Sequence, residues 1–130
     1  MTRFVSLVLA LALVGCAGSP LKVAQTTEQK AYALYGTFVI AEEQAAKLSA
    51  PTSNLSPQAK GAIIAASQKA QPAVDAMLKG LSQYEAARAD FEAAKIDKPA
   101  FQVVVDKLAG WVQQATGLVN GLSTSLKGAR

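Results

Sequence analysis

Cys16 is the only thiol in a chain of 130 residues that contains no histidine. A single cysteine can serve as a nucleophile or carry a covalent group, but it cannot close an internal disulfide. Without an imidazole there is no histidine base and no histidine-containing metal site. Carboxylates are dense only at Glu42-Glu43 and at Glu85, Asp90 and Glu92. Neighbours in sequence do not face the same way on a helix, so Glu42 and Glu43 cannot act as a pair. Glu85 precedes Arg88 and Asp75 precedes Lys79 at spacings that suit surface ion pairs. No glycine loop leads into a basic residue in a phosphate-binding pattern. These residues predict no catalytic group, no metal ligand and no cofactor, and therefore no enzyme. The chemistry that remains is the covalent chemistry of Cys16.

The segment before Cys16 explains what that chemistry is. Arg3 is followed by FVSLVLALALV, in which Ser6 is the only polar residue. A stable transmembrane helix needs roughly 20 apolar residues, so this run is too short for one. A basic start, a short apolar region and small residues at a cut site make an export signal. Leu13-Val14-Gly15-Cys16 resembles the lipobox of bacterial lipoproteins, over the first sixteen residues of the chain. The resemblance implies recognition of Leu13, Val14 and Gly15 by a signal peptidase and a diacylglyceryl thioether on Cys16. It also implies cleavage before Cys16 and acylation, with a palmitate-type chain, of the new amino terminus. Two or more chains anchor stably where one does not, at about 0.8 kcal/mol per buried CH₂. Ala17 stands where an Asp in that family favours the inner membrane, so the resemblance implies the periplasmic face of an outer membrane. The competing readings of Cys16 are a small buried hydrophobe and an incidental residue beside an uncleaved anchor.

Residues 1–15 are thus expected as leader, 16–25 as lipidated cysteine and tether, and 26–130 as one domain. Thirteen Lys and Arg face nine Asp and Glu. Loss of Arg3 with the leader leaves a charge of about +3, too weak and dispersed to attract nucleic acid. The alanine-rich body predicts an all-α protein, an antiparallel three-helix bundle with helices at about 26–49, 57–95 and 98–126. Thr26 and Gln29 fit a capping box for the first helix. Its apolar stripe is Ala31, Leu34, Phe38, Ala41, Ala45 and Leu48, widened by Tyr32, Tyr35 and Val39. Ser56 and Pro57 restart the chain as a helix. The second stripe runs Ala59, Ile63, Ala66, Ala70, Ala73, Met77, Leu81, Tyr84, Arg88 and Phe91 and keeps its phase across Pro72. That continuity predicts one long helix kinked near Pro72; two helices meeting at Gln71 is the alternative. Asp97 is a candidate cap for the third helix, with Pro99 in its first turn and Ile96 and Phe101 as a hydrophobic staple. Its stripe, the strongest, is Phe101, Val104, Leu108, Trp111, Ala115, Leu118 and Leu122, flanked by Val105, Val112, Val119 and Leu126. Trp111 is expected as a core anchor. The second helix, longer than the others, is expected to overhang at one end.

Leu108 to Leu126 contains no charged residue. On its back face stand Gly110, Gln114, Gly117, Gly121 and Thr124. Gly117 and Gly121 have the GxxxG spacing that lets helix backbones touch, although glycine costs about 1 kcal/mol relative to alanine in a helix. This face is a candidate docking surface for a protein partner or a second copy; the plainer reading is a tolerated low-charge exterior. The glutamines, Thr116 and Asn120 weigh against membrane insertion of the run. The body resembles small helical lipoproteins of unassigned role in proteobacteria and their prophages. The function expected is a membrane-tethered, non-enzymatic lipoprotein with a structural or partner-binding role. The alternative is a phage-related envelope factor acting in lysis or superinfection exclusion.

Overall fold

The computed structural model describes residues 20–129, with side chains described from Gln25 onward. Three helices, α1 (Pro20–Ser49), α2 (Pro57–Glu92) and α3 (Lys98–Gly128), follow one another along the chain. No strand occurs among the described residues. Contacts between helices fix their directions. Glu28 of α1 pairs with Arg88 of α2, and Glu42 with Ser67, so α1 and α2 run antiparallel. Thr27 and Lys30 border a groove with Ala109 and Gln113 of α3, and Gln44 borders one with Lys127, so α1 and α3 rise together. The fold is an up-down-up bundle, with α3 packed most extensively against α2.

The core is built from the faces that 3.6-residue periodicity picks out. Ala31, Phe38, Ala41 and Ala45 bury from α1; Ile63, Ala70, Ala73, Val74, Met77, Leu81 and Tyr84 bury from α2. From α3 the buried positions are Phe101, Val105, Leu108, Val112, Ala115, Val119, Leu122 and Leu126. The α3 stripe is therefore rotated from its expected centre. Val104, Trp111 and Leu118 are its partly buried flank, and Val105, Val112 and Val119 its middle. A helix wedged between two partners buries the arc facing both, which one stripe of largest residues does not mark. Tyr32, Tyr35 and Val39 were expected to widen the α1 stripe, but they lie on the outside.

Element boundaries depart from expectation at two places. The first helix begins at Pro20, not near Thr26, so Thr26 and Gln29 lie inside the helix rather than at its start. Proline is suited to a first turn because its missing N–H has no partner there in any case. The expected tether over 16–25 is thus helical from Pro20 onward. The second helix stops at Glu92, not Lys95. Its end is closed by Ala94 N–H to Phe91 O at 3.1 Å and Lys95 N–H to Asp90 O at 2.8 Å. This pair of bonds is a Schellman closure, with Ala94 at φ 57° where glycine is usual. Without a glycine to mark it, the stop could not be read from residue types.

Other local expectations hold. Ser56 accepts a bond from Ala59 N–H at 3.1 Å and Asp97 one from Ala100 N–H at 2.9 Å, each with a proline in the first turn. α2 is one helix through Pro72. Proline removes the bond to the carbonyl four residues back, that of Gln68. Pro72 and Gln68 are both exposed, so water can take the vacated position. The lengths are 30, 36 and 31 residues, so α2 exceeds its partners by about a turn and a half. Among the described residues no helix is long and apolar enough to cross a membrane.

Candidate functional site

The residues singled out by the sequence fall in two separate places. Leu13, Val14, Gly15 and Cys16 lie outside the described residues. Gly110, Gln114, Gly117 and Gly121 lie together on α3, all exposed, on the side away from the buried face. Nothing stands within 4 Å of where a Cβ would project at Gly110, Gly117 or Gly121. Gly117 and Gly121 border a shallow groove of about 300 Å³ against Ala62, Ala65 and Ala66 of α2, with Lys69 at its rim. The back face of α3 is thus an open floor of small residues.

Two further grooves follow the seam between α1 and α3. The larger, of about 670 Å³, is bordered by Lys30, Leu34, Thr37, Val112, Gln113 and Asn120 among others. The smaller, of about 250 Å³, has Ile40, Gln44, Ser123 and Lys127 on its walls. Each of the three grooves has one lysine and no carboxylate on its walls. General acid–base chemistry needs a donor and an acceptor of suitable pKa in reach of one substrate, and these walls offer amides, hydroxyls and a single ammonium. No group of three or more His, Cys, Asp or Glu able to hold a metal ion occurs among the described residues.

The charged residues form a different cluster, where α1 begins and α2 ends. Arg88 pairs with Glu28 at 3.1 Å and with Glu92, four residues on, also at 3.1 Å. The hydrogen bond to Glu92 is the main cause that raises the Arg88 pKa. The Tyr32 hydroxyl donates to Glu85. That bond, with burial second, pushes the phenol up to about 12. The expected Glu85–Arg88 pair is therefore replaced: Glu85 accepts from Tyr32 of α1, and Arg88 pairs with Glu28 of α1 and Glu92 of its own helix. Asp75 accepts a hydrogen bond from the Gln71 amide, at 3.2 Å, in place of the expected pair with Lys79. Under this cluster the Tyr84 side chain is fully buried, and its hydroxyl has no hydrogen-bond partner among the described residues. Desolvation pushes Tyr84 up to about 12, Glu28 reinforces the shift and Arg88 opposes it. Partners 60 residues apart cannot be matched from a sequence before the helix register is known.

One contact that residue types did not suggest lies mid-bundle. A Cβ on Gly80 would sit 2.0 Å from Cε3 of Trp111. Gly80 is buried and Trp111 half-buried, so the indole lies directly on the α2 backbone. The anchoring role expected for Trp111 is met at the edge of the core, and it depends on that glycine. The only available signal was a lone glycine inside an otherwise regular apolar stripe.

Comparison with protein-family models, curated proteins and solved structures finds no match to this chain.

Proposed function

We propose that this protein is a lipoprotein, tethered through lipid on Cys16 to the periplasmic face of an outer membrane. There it acts as a non-enzymatic structural or partner-binding module. The observation that carries the reading is the run Leu13-Val14-Gly15-Cys16 behind a short leader, basic at Arg3 and apolar after it, placed three residues before a helical bundle begins. A lipid at that place consumes the only thiol and leaves the bundle next to the bilayer. The floor formed by Gly117 and Gly121 is the surface on which a protein partner could come close, because a helix backbone can approach glycine more nearly than any other residue.

Mass spectrometry of the amino-terminal peptide from isolated membranes tests the reading. The expected product begins at Cys16 and carries a diacylglyceryl thioether and an acyl chain, with residues 1–15 gone. Cys16→Ser should abolish both labelling by radioactive palmitate and stable membrane retention. A free thiol with the leader still attached would sink the proposal.

A further inference from the structure

Six large hydrophobic side chains stay substantially exposed among the described residues, and four of them, Tyr32, Tyr35, Val39 and Ile40, are on α1. Their spacing sets them on one side of the helix, away from core-facing Ala31, Phe38, Ala41 and Ala45. Between Lys30 and Glu42 the helix carries no charge. Gly36 lies within the patch with nothing within 4 Å of its Cβ direction, and the Tyr32 hydroxyl is held by Glu85 of α2. The outer side of α3, by contrast, is surfaced mainly with Gln113, Gln114, Asn120 and glycines, and Val103 is its single exposed large hydrophobic.

We propose that this outer face of α1 rests on the lipid surface to which Cys16 is anchored, so that the bundle lies on its side with α1 parallel to the membrane. The inference rests on the lipoprotein reading and adds an orientation to it. Only residues 17–19 separate Cys16 from Pro20, a reach of roughly 10–14 Å at full extension. An upright α1, rising 1.5 Å per residue, would hold Tyr32 roughly 18 Å and Ile40 roughly 30 Å beyond the helix start. The short connection therefore keeps the start of α1 at the bilayer, and lowering the helix brings the patch onto it. The side chains suit that place. Tyrosine sets an apolar ring and a polar hydroxyl at the headgroup level, and Val39 and Ile40 supply apolar surface to the acyl boundary. Glu43, one turn beyond Val39, marks where the apolar face ends.

The test uses the intact lipidated protein in vesicles of phosphatidylethanolamine and phosphatidylglycerol. With the Cys16 sulfur consumed, a cysteine introduced by Val39→Cys or Gly117→Cys is the one reactive thiol, and each takes a nitrobenzoxadiazole label. Both sites are exposed, so neither substitution disturbs the core. At position 39 the emission is expected to shift to the blue, to be quenched by doxyl-labelled phospholipid and to lose quenching by aqueous iodide. At position 117 the label should remain open to iodide and untouched by doxyl lipid. Equal access of iodide to both labels would overturn the proposal. So would a blue shift at 39 without doxyl quenching, together with a dimer in sedimentation, which would assign the face to a second copy. The mass of the amino-terminal peptide separates the two readings. A lipidated Cys16 with a water-exposed position 39 removes only the orientation, whereas a bare Cys16 removes both.

Discussion

The two ends of the bundle are held together by different means. Where α1 begins, α2 ends and α3 begins, the helices are joined by rings and charges. Phe91 and Phe101 stack with centroids 4.7 Å apart and planes 4° from parallel, and Tyr84 lies against Phe101 at 6.0 Å. Above them Arg88 links Glu28 to Glu92. At the other end the packing is by small and aliphatic residues, among them Ala41, Ala45, Ile63, Ala70, Leu122 and Leu126. Carboxylates are sparse there: none falls in 44–74 or 107–130, and the second end has only Glu42 and Glu43 of α1, of which Glu42 accepts a bond from the Ser67 hydroxyl. Wide rings fix a register through shape and directional contacts, whereas alanine gives close approach with little to specify it. Gly80 and Trp111 lie where the two regimes meet.

The largest expected effect is on the aromatic end. Phe101 is 1% exposed and touches two rings, so Phe101→Ala should cost about 3–5 kcal/mol by urea unfolding. If the loss were no greater than that of a single methylene, the rings would not be what holds this end. The junction comes next. Gly80→Ala places a methyl inside the indole, so Trp111 must swing outward or the helices must part. Overpacking of this kind costs about 1–3 kcal/mol, and the better helix propensity of alanine returns up to about 1 kcal/mol. The expected result is a net destabilisation with Trp111 emission moved to the red. An unchanged spectrum and a higher melting temperature would mean that the indole does not rest on that backbone.

The contrast between the ends also explains what could be read from residue types. The helices, their order and the caps at Ser56 and Asp97 were legible because periodicity, proline placement and capping residues are local signals. The core faces were legible for alanines, Phe38, Ile63 and Leu108, but Tyr32, Tyr35 and Val39 were placed inward when they face out. Apolar character widens a predicted stripe whether or not a third helix is present to cover it. The start at Pro20 was hidden because a proline next to Gly18 and Ser19 in the sequence reads as loop, although proline also suits the first turn of a helix. The end at Glu92 was hidden by an alanine in a glycine's conformation. At the candidate docking face the exposure of Gly110, Gln114, Gly117 and Gly121 matched expectation, because a strong stripe on one side of α3 dictates what lies on the other. The Arg88 cluster and the Gly80 contact needed the register between helices, which no local signal carries.

The aliphatic end makes the opposite prediction from Gly80. With nothing within 4 Å of a Cβ at Gly117 or Gly121, Gly117→Ala and Gly121→Ala should each stabilise the bundle by about 1 kcal/mol. Thermal melting of the single and double variants measures it. A loss in place of the gain would mean that this face is covered in solution, and a parent protein sedimenting as a dimer would identify a second copy as the cover. The same substitution type thus has opposite signs at two glycines about 40 residues apart, decided only by what stands above each backbone.

The smallest effect concerns the hydroxyl buried beneath the charged cluster. Removing an unpartnered buried hydroxyl costs little, so Tyr84→Phe should change stability at neutral pH by less than about 1 kcal/mol, in either direction. At alkaline pH the variants should separate. The folded protein holds the Tyr84 proton up to about 12, against 10.0 for the free phenol. Between those values the unfolded chain binds fewer protons than the folded one, so stability falls as pH rises. Below 10 the contribution is complete, and it is lost through 12. Tyr84→Phe removes this dependence, and its stability curve should fall less steeply across that window. Tyr32, also raised to about 12 but half exposed, should contribute a weaker slope that Tyr84→Phe leaves in place. If both proteins lost stability in parallel from pH 10 to 12, burial of the Tyr84 phenol would not be what sets the alkaline limit.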